Sequence, residues 1–237
     1  MSVIWHDLEC GAYAEDLPLW RELASEHGDP ILDLGAGTGR VALDLARHGH
    51  RVTALDHDAE LLVELAVRAH GLEVETVLAD ARAFELGRRF SLCVVPMQTI
   101  QLLGGVVARA RLLDCARRHL RSGGTLAIAI AETLELYEVV DPTFAPLPDI
   151  CERDGIVYYS QPIAVRAQGE RYTLERRRET VAADGRRSAT NDIIELDRVT
   201  SAELEREAAA AGFTALGTRS VAPTRDYAGS EVVIVSA

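Results

Sequence analysis

Short apolar runs alternate along the chain with longer stretches whose apolar positions recur at helical spacing. Residues 14–28, AEDLPLWRELASEHG, predict a helix with Asp16 near its cap, Pro18 in its first turn and Gly28 beyond its end. PILDLG (30–35) reads as a buried strand, and RVALDLARHG (40–49) as a helix through Val41, Ala42, Leu45 and Ala46. RVTALD (51–56) is the second strand, HDAELLVELAVRAHG (57–71) a helix, LEVETVLAD (72–80) the third strand and RFSLCVVP (89–96) the fourth. A helix over GVVARARLLDCARRHL (105–120) follows, then a turn at SGG (122–124) and the strand TLAIAIAE (125–132). Uninterrupted apolar strands alternating with helices predict a parallel sheet covered on both faces.

The rhythm breaks over 133–199, where no helical period is present. AQGE (167–170) and ADGRR (183–187) are turn signals between extended runs, which predicts a three-stranded antiparallel meander over 156–199. Alternation returns at TSAELEREAAAAGF (200–213), where Thr200 with Glu203 makes a capping-box pattern and Gly212 ends the helix. ALGTRSVAP and SEVVIVSA then read as two closing strands, an antiparallel hairpin at one edge of the sheet.

Composition narrows the function. With 237 residues and 48% apolar content the chain can bury one good core. The net charge is −12, and all 25 basic residues are arginine. Such acidity repels phosphate backbones unless arginines gather on one face. The missing lysine excludes a P-loop ammonium and Schiff-base chemistry. Cys10, Cys93, Cys115 and Cys151 form no C-x-x-C pair and read as reduced and structural. No apolar run is long enough to span a membrane and no signal-peptide pattern is present, so a soluble, cytoplasmic protein is expected.

The chemistry concentrates in ILDLGAGTGR (31–40). A glycine-rich turn between strand and helix brings a ligand against bare backbone and a helix N-terminus. The third glycine, Gly39, arrives one residue earlier than in the dinucleotide fingerprint, and a carboxylate at Asp33 would repel a pyrophosphate while suiting a cation. An acidic residue followed by G-x-G-x-G resembles the first motif of the class I S-adenosylmethionine-dependent methyltransferases. Their cofactor carries a positive α-amino group and a sulfonium. The resemblance implies a doubly wound, Rossmann-like seven-stranded sheet with a C-terminal antiparallel hairpin, here with a small antiparallel insertion. It places Asp33, Gly35, Ala36, Gly37 and Gly39 against the cofactor's amino-acid arm, Asp56 with His57 at the ribose, and Asp80 with Ala81 at the adenine. Pro96 and Met97, which end the fourth strand, would lie near the methyl group. It divides the chain into a cofactor-binding part with an N-terminal lid helix (1–132), the insertion as substrate cover or dimer contact (133–199), and the last helix with the closing strands (200–237).

Methyl transfer is an in-line displacement that needs alignment and, for a protonated acceptor, a base. Gln98 is a candidate to orient the acceptor, with Gln101 on the same face and Glu132 at the end of the fifth strand. The aromatic-rich start, with Trp5, His6, Tyr13 and Trp20, resembles a lid, which makes Tyr13 and His6 further catalytic candidates. Trp20 is expected to pack its helix on the sheet. The run Arg176–Arg177–Arg178 reads as a solvated strand, with an anion clamp as the alternative. No His/Cys/Asp cluster has metal-ligand spacing, so no metal is expected. The reading is a methyltransferase acting on N or O of a small metabolite. The alternatives are a binding protein without methyl transfer, or a protein or nucleic-acid methyltransferase. No N-P-P-Y-type tetrad stands after the fourth strand, where the residues are PMQT, so nucleic acid is not the expected substrate.

Overall fold

The computed structural model describes residues 3–141, 145–224 and 227–237. Its N-terminal segment is a short helix, α1 (Val3–His6), running into a π-helical turn over Asp7–Gly11. Helix α2 (Leu17–His27) follows, with Pro18 in its first turn. Asp16 precedes it but does not cap it. Its carboxylate instead accepts Trp20 Nε1–H at 2.8 Å and the guanidinium of Arg40.

The alternating half of the sequence folds as β1 (Ile31–Leu34), α3 (Arg40–Arg47), β2 (Val52–Asp56), α4 (Ala59–Arg68), β3 (Val74–Leu78), β4 (Phe90–Val95), α5 (Val106–His119) and β5 (Leu120–Ile130). These five strands are parallel, in the order β3-β2-β1-β4-β5. Period-two alternation on β1 sends Ile31 to a core under α2, α3 and α4, and Leu32 and Leu34 to a core under α5. Trp20 is fully buried in the first core, as expected, and a Trp→Ala change there would cost about 3–5 kcal/mol.

Ser122, Gly123 and Gly124 are not a turn before β5. They lie inside it, where the pairing with β4 moves from Phe90↔Leu120 to Leu92↔Thr125, so the extra residues form a bulge. Gly124 is needed there because a Cβ would press on the Arg121 and Phe90 carbonyls.

Among the described residues the insertion carries five strands, where the sequence predicts three. β6 (Tyr137–Glu138) and β7 (Asp149–Arg153) line one edge of β8 (Ile156–Gln168), which continues through β9 (Arg171–Val181) to β10 (Arg187–Asp197). The last three are the expected meander. The β7–β8 connection is Asp154–Gly155, both with positive φ, the two-residue hairpin chemistry of a D-G pair. Helix α6 (Ser201–Ala210) starts on the expected capping box, Thr200 with Glu203. β11 (Thr214–Val221) and β12 (Ser230–Ser236) return as an antiparallel hairpin; β12 joins β5 and β11 becomes the edge, completing a seven-stranded sheet.

Candidate active site at the carboxyl ends of the strands

The β1–α3 connection is the glycine stretch. Gly35, Gly37 and Gly39 all have positive φ, a backbone that side chains adopt at a cost. Each also faces something close. A Cβ on Gly35 would overlap the side chain of Thr99, one on Gly37 would overlap the His6 imidazole, and one on Gly39 would press into Leu65 and Leu43. Gly39 therefore serves the packing of α3 on α4, whereas a side chain at Gly35 or Gly37 would displace Thr99 or the His6 imidazole.

Asp33 lies beneath this turn, fully buried, and neither carboxylate oxygen has a hydrogen-bond partner. Burial pushes its carboxyl up to about 7; Arg40 works against that shift and Asp56 adds to it. An orphaned buried carboxylate costs about 1–3 kcal/mol or more unless something answers it. Asp56 ends β2, 6% exposed, accepting the Gly37 N–H at 2.8 Å and the Asp58 N–H at 2.9 Å. His57 beside it is exposed, with Nδ1 3.3 Å from Asp56. Asp80 follows β3 and pairs with Arg82 at 2.6 Å, which holds its carboxyl at about 2. Ala81 packs at the edge of the core beside it.

After β4, Pro96 is buried and Met97 has φ 54, a left-handed conformation that is uncommon for a side-chain-bearing residue. The turn directs Gln98 into the start of a 3-10 helix over Thr99–Leu103. The Gln98 side chain is half-buried and makes no hydrogen bond among the described residues. Thr99 hydrogen-bonds back to the Pro96 carbonyl at 2.9 Å, which holds its methyl over Gly35.

Residues 31–124 match the family described as a methyltransferase domain. They form a methyltransferase domain, with the fold of the class I, S-adenosylmethionine-dependent kind. The cypemycin N-terminal methyltransferase of a Streptomyces species is 31% identical over 46% of this chain and 44% of its own length. The chain spans about half the length of the curated relatives it matches. Two solved structures share the fold over nearly the whole chain. One is an S-adenosylmethionine-bound amino pentose methyltransferase from Micromonospora echinaspora (19% identity, TM-score 0.73, covering 100% of this chain and 97% of that one). The other is a sugar N-methyltransferase from a Streptoalloteichus species (17% identity, TM-score 0.76, 100% and 92% covered).

The methyltransferase domain's residues fit the cofactor its class uses. The uncompensated Asp33 suits a cationic amino-acid arm, and Gly35 and Gly37 present backbone rather than side chains beneath Thr99 and His6.

Three expectations need correction. Gln101 is fully buried and does not share a face with the acceptor site. Its amide donates to the Ala131 and Asp197 carbonyls and accepts the Ala131 N–H. Glu132 accepts the Ser201 N–H at the start of α6, so it caps that helix. The arginine run is not a solvated strand, because Arg176 and Arg178 turn inward onto Glu9 of the N-terminal segment.

That segment is a strap over the methyltransferase domain's glycine turn. His6 lies on Gly37 with Nδ1 3.3 Å from Thr38 Oγ1, and burial lowers its pKa despite Asp7 and Asp56 nearby. Asp7 accepts the Thr38 hydroxyl at 2.7 Å and pairs with Arg68 of α4. Tyr13 is buried rather than open to the crevice. Arg40 lies 5.0 Å from its ring centroid, Tyr227 packs against it, and burial raises its pKa although Ser230 partly offsets this. Sequence reading missed Glu9, Asp7, Thr38, Arg40 and Thr99. Thr99, next to PMQ at the end of β4, carried a local signal; Glu9 did not, since its partners lie far along the chain.

Proposed function

We propose that this chain transfers the methyl group of S-adenosylmethionine to a nitrogen or oxygen of a small metabolite, under a roof made by the strap and the insertion. The observation that carries this is Asp33: a carboxylate buried beneath a glycine turn without a partner, in a methyltransferase domain. Support for a small acceptor comes from the sugar-modifying structures, which share the whole architecture including the insertion.

In this reading Asp33 answers the cofactor's ammonium, and Asp56 exchanges the Gly37 N–H for the ribose hydroxyls, with His57 alongside. Asp80 turns from Arg82 to the adenine edge beside Ala81. The cofactor, when bound, supplies an electrophilic methyl group on a sulfonium. The chain's own work is alignment and proton handling. Pro96 and the strained Met97 form the floor near the transferred group, and Gln98, with its amide unengaged, orients the acceptor's hydroxyl or amine. His6, held neutral by burial, is the strap's proton acceptor; Tyr13, its phenol kept protonated, anchors the strap to Arg40 rather than acting as a base.

Calorimetric titration with S-adenosylmethionine, its demethylated product and NAD tests the cofactor assignment. Saturable binding of the first two and not NAD is expected, followed by radiolabelled methyl transfer to a panel of amines, hydroxy compounds and amino acids. Binding of NAD alone would remove the assignment.

A further inference from the structure

Arg176, Arg177 and Arg178 separate by face on β9. Arg177 points outward and pairs with Glu179, while Arg176 and Arg178 register opposite Pro162 and Ser160 on the side of β8 that the strap covers. There they converge on one carboxylate. Arg178 donates Nε and Nη2 to the two oxygens of Glu9, each at 2.7 Å; Ser160 Oγ donates to Glu9 at 2.6 Å; Arg176 Nε lies at 3.5 Å. Arg176 Nε donates to Ser160 Oγ at 2.9 Å, Asp192 takes Arg178 Nη1 at 2.7 Å and Asp149 takes Arg176 Nη2. The two aspartates thus fix the forks and leave the side-on edge of Arg178 with the Ser160 hydroxyl facing the strap. Trp5, edge-on to Tyr158 at 5.4 Å and beneath Arg178, forms an aromatic wall.

Glu9 fills this site from a segment that cannot stay where it is. His6 lies on Gly37 and Asp56 holds the Gly37 N–H, and both groups are needed by the cofactor in the reading above. Glu9 belongs to the helical turn that continues from His6, so a shift of one carries the other. With Glu9 withdrawn, a buried planar donor set would face the crevice, shaped for two oxygens in one plane. We propose that Arg178, Ser160 and Arg176 recognise a carboxylate on the methyl acceptor, which makes the acceptor an amino or hydroxy acid, and that Glu9 is its intramolecular stand-in. This rests on the methyltransferase reading and deepens it by naming the substrate class. A neutral acceptor leaves the arginine fork unanswered and does not displace Glu9. An acid replaces it like for like.

The test uses the full chain saturated with the demethylated cofactor product, titrated calorimetrically with benzoylglycine and, as its neutral twin, benzoylglycinamide. Glu9→Gln keeps the size of the stand-in and removes its charge, so in the same titration without the cofactor product, where the strap is not displaced, benzoylglycine affinity rises roughly tenfold as the competing occupant weakens. The amide does not gain. Arg178→Met abolishes benzoylglycine binding, and Arg178→Lys, which keeps charge without the fork, weakens it while preserving the fold. Equal affinities for acid and amide in Glu9→Gln, or no binding of either, overturn the proposal. Cofactor-product affinity is measured on the same samples and does not fall in either Arg178 variant, since loosening the strap can only favour cofactor entry. A loss of about tenfold or more there assigns the arginines to the cofactor's own carboxylate and also overturns the proposal. Failure of the unmodified chain to bind the cofactor product falls on the methyltransferase reading instead.

Discussion

At the scale of single residues, Asp33 and Asp56 sit on neighbouring strands and differ in what they lack. Asp56 has backbone donors and Asp33 has none. A carboxyl raised to about 7 by burial binds more protons folded than unfolded, so from the ordinary Asp range up to about 7 the ligand-free fold loses stability as pH rises. Asp33→Asn removes that loss, and its melting temperature at pH 8 is expected to exceed that of the parent. A cationic ligand reverses the shift. Cofactor binding at pH 6 should therefore release a proton, seen as a dependence of calorimetric enthalpy on buffer ionisation, and Asp33→Asn should bind weakly without release. Buffer-independent enthalpy in the parent would remove Asp33 from contact with the charge. Asp56→Ala loses charge-assisted hydrogen bonds and should weaken cofactor binding by about 1–3 kcal/mol, measured in the same titration.

The elements that frame the site were legible in the sequence to different depths. β1 to β5, their helices and the closing hairpin follow from apolar period and from capping signals such as Thr200 with Glu203, because each is decided by nearby residues. SGG was misread as a turn because glycine serves bulges and turns alike, and only the β4 register distinguishes them. β6 and β7 were missed because their short sequences acquire strand character only by lying against β8. Gln101 shows the same limit for a side chain. From sequence it shares a face with Gln98, but three hydrogen bonds to Ala131 and Asp197 make it the tie between the end of β5, the end of β10 and the 3-10 helix that carries Thr99. Gln101→Ala leaves buried backbone groups unpaired, each costing about 1–3 kcal/mol. A clear drop in melting temperature is expected, with cofactor-product affinity of the folded fraction near that of the parent. An unchanged melting temperature would mean that water or a rearranged loop satisfies those groups.

At the scale of the whole molecule, the strap joins the methyltransferase domain to the insertion, and neither grip was visible in the sequence. Asp7 grips Thr38 and Arg68 on the domain, while Glu9 grips Arg178 and Ser160 on the insertion; the partners lie 31 to 169 residues away along the chain. These ion pairs engage Arg68, Arg176 and Arg178 of the chain's 25 arginines. In the proposed reading, a strap held at both ends over Gly37 must release for the cofactor to enter. Trp5 reports that step, because it packs on Tyr158 and Arg178, and the second tryptophan, Trp20, is fully buried and can be replaced by Phe. In a Trp20→Phe background, stopped-flow emission should change on mixing with the demethylated cofactor product. Asp7→Asn cuts the domain-side grip and leaves the insertion-side grip intact, so the observed association rate should rise several-fold as the open population grows. The grip also depends on pH. Burial alone would raise the Glu9 and Asp7 carboxyls, but their arginine and hydroxyl partners outweigh it and hold both below their ordinary values. The ion pairs therefore contribute fully above the ordinary carboxylate range and are lost as pH falls through the depressed values in acid. Trp5 emission in the ligand-free protein should shift toward that of an exposed indole only there. Emission that is flat through acid and insensitive to the ligand, with an association rate unaffected by Asp7→Asn, would show that the cofactor enters without moving the strap.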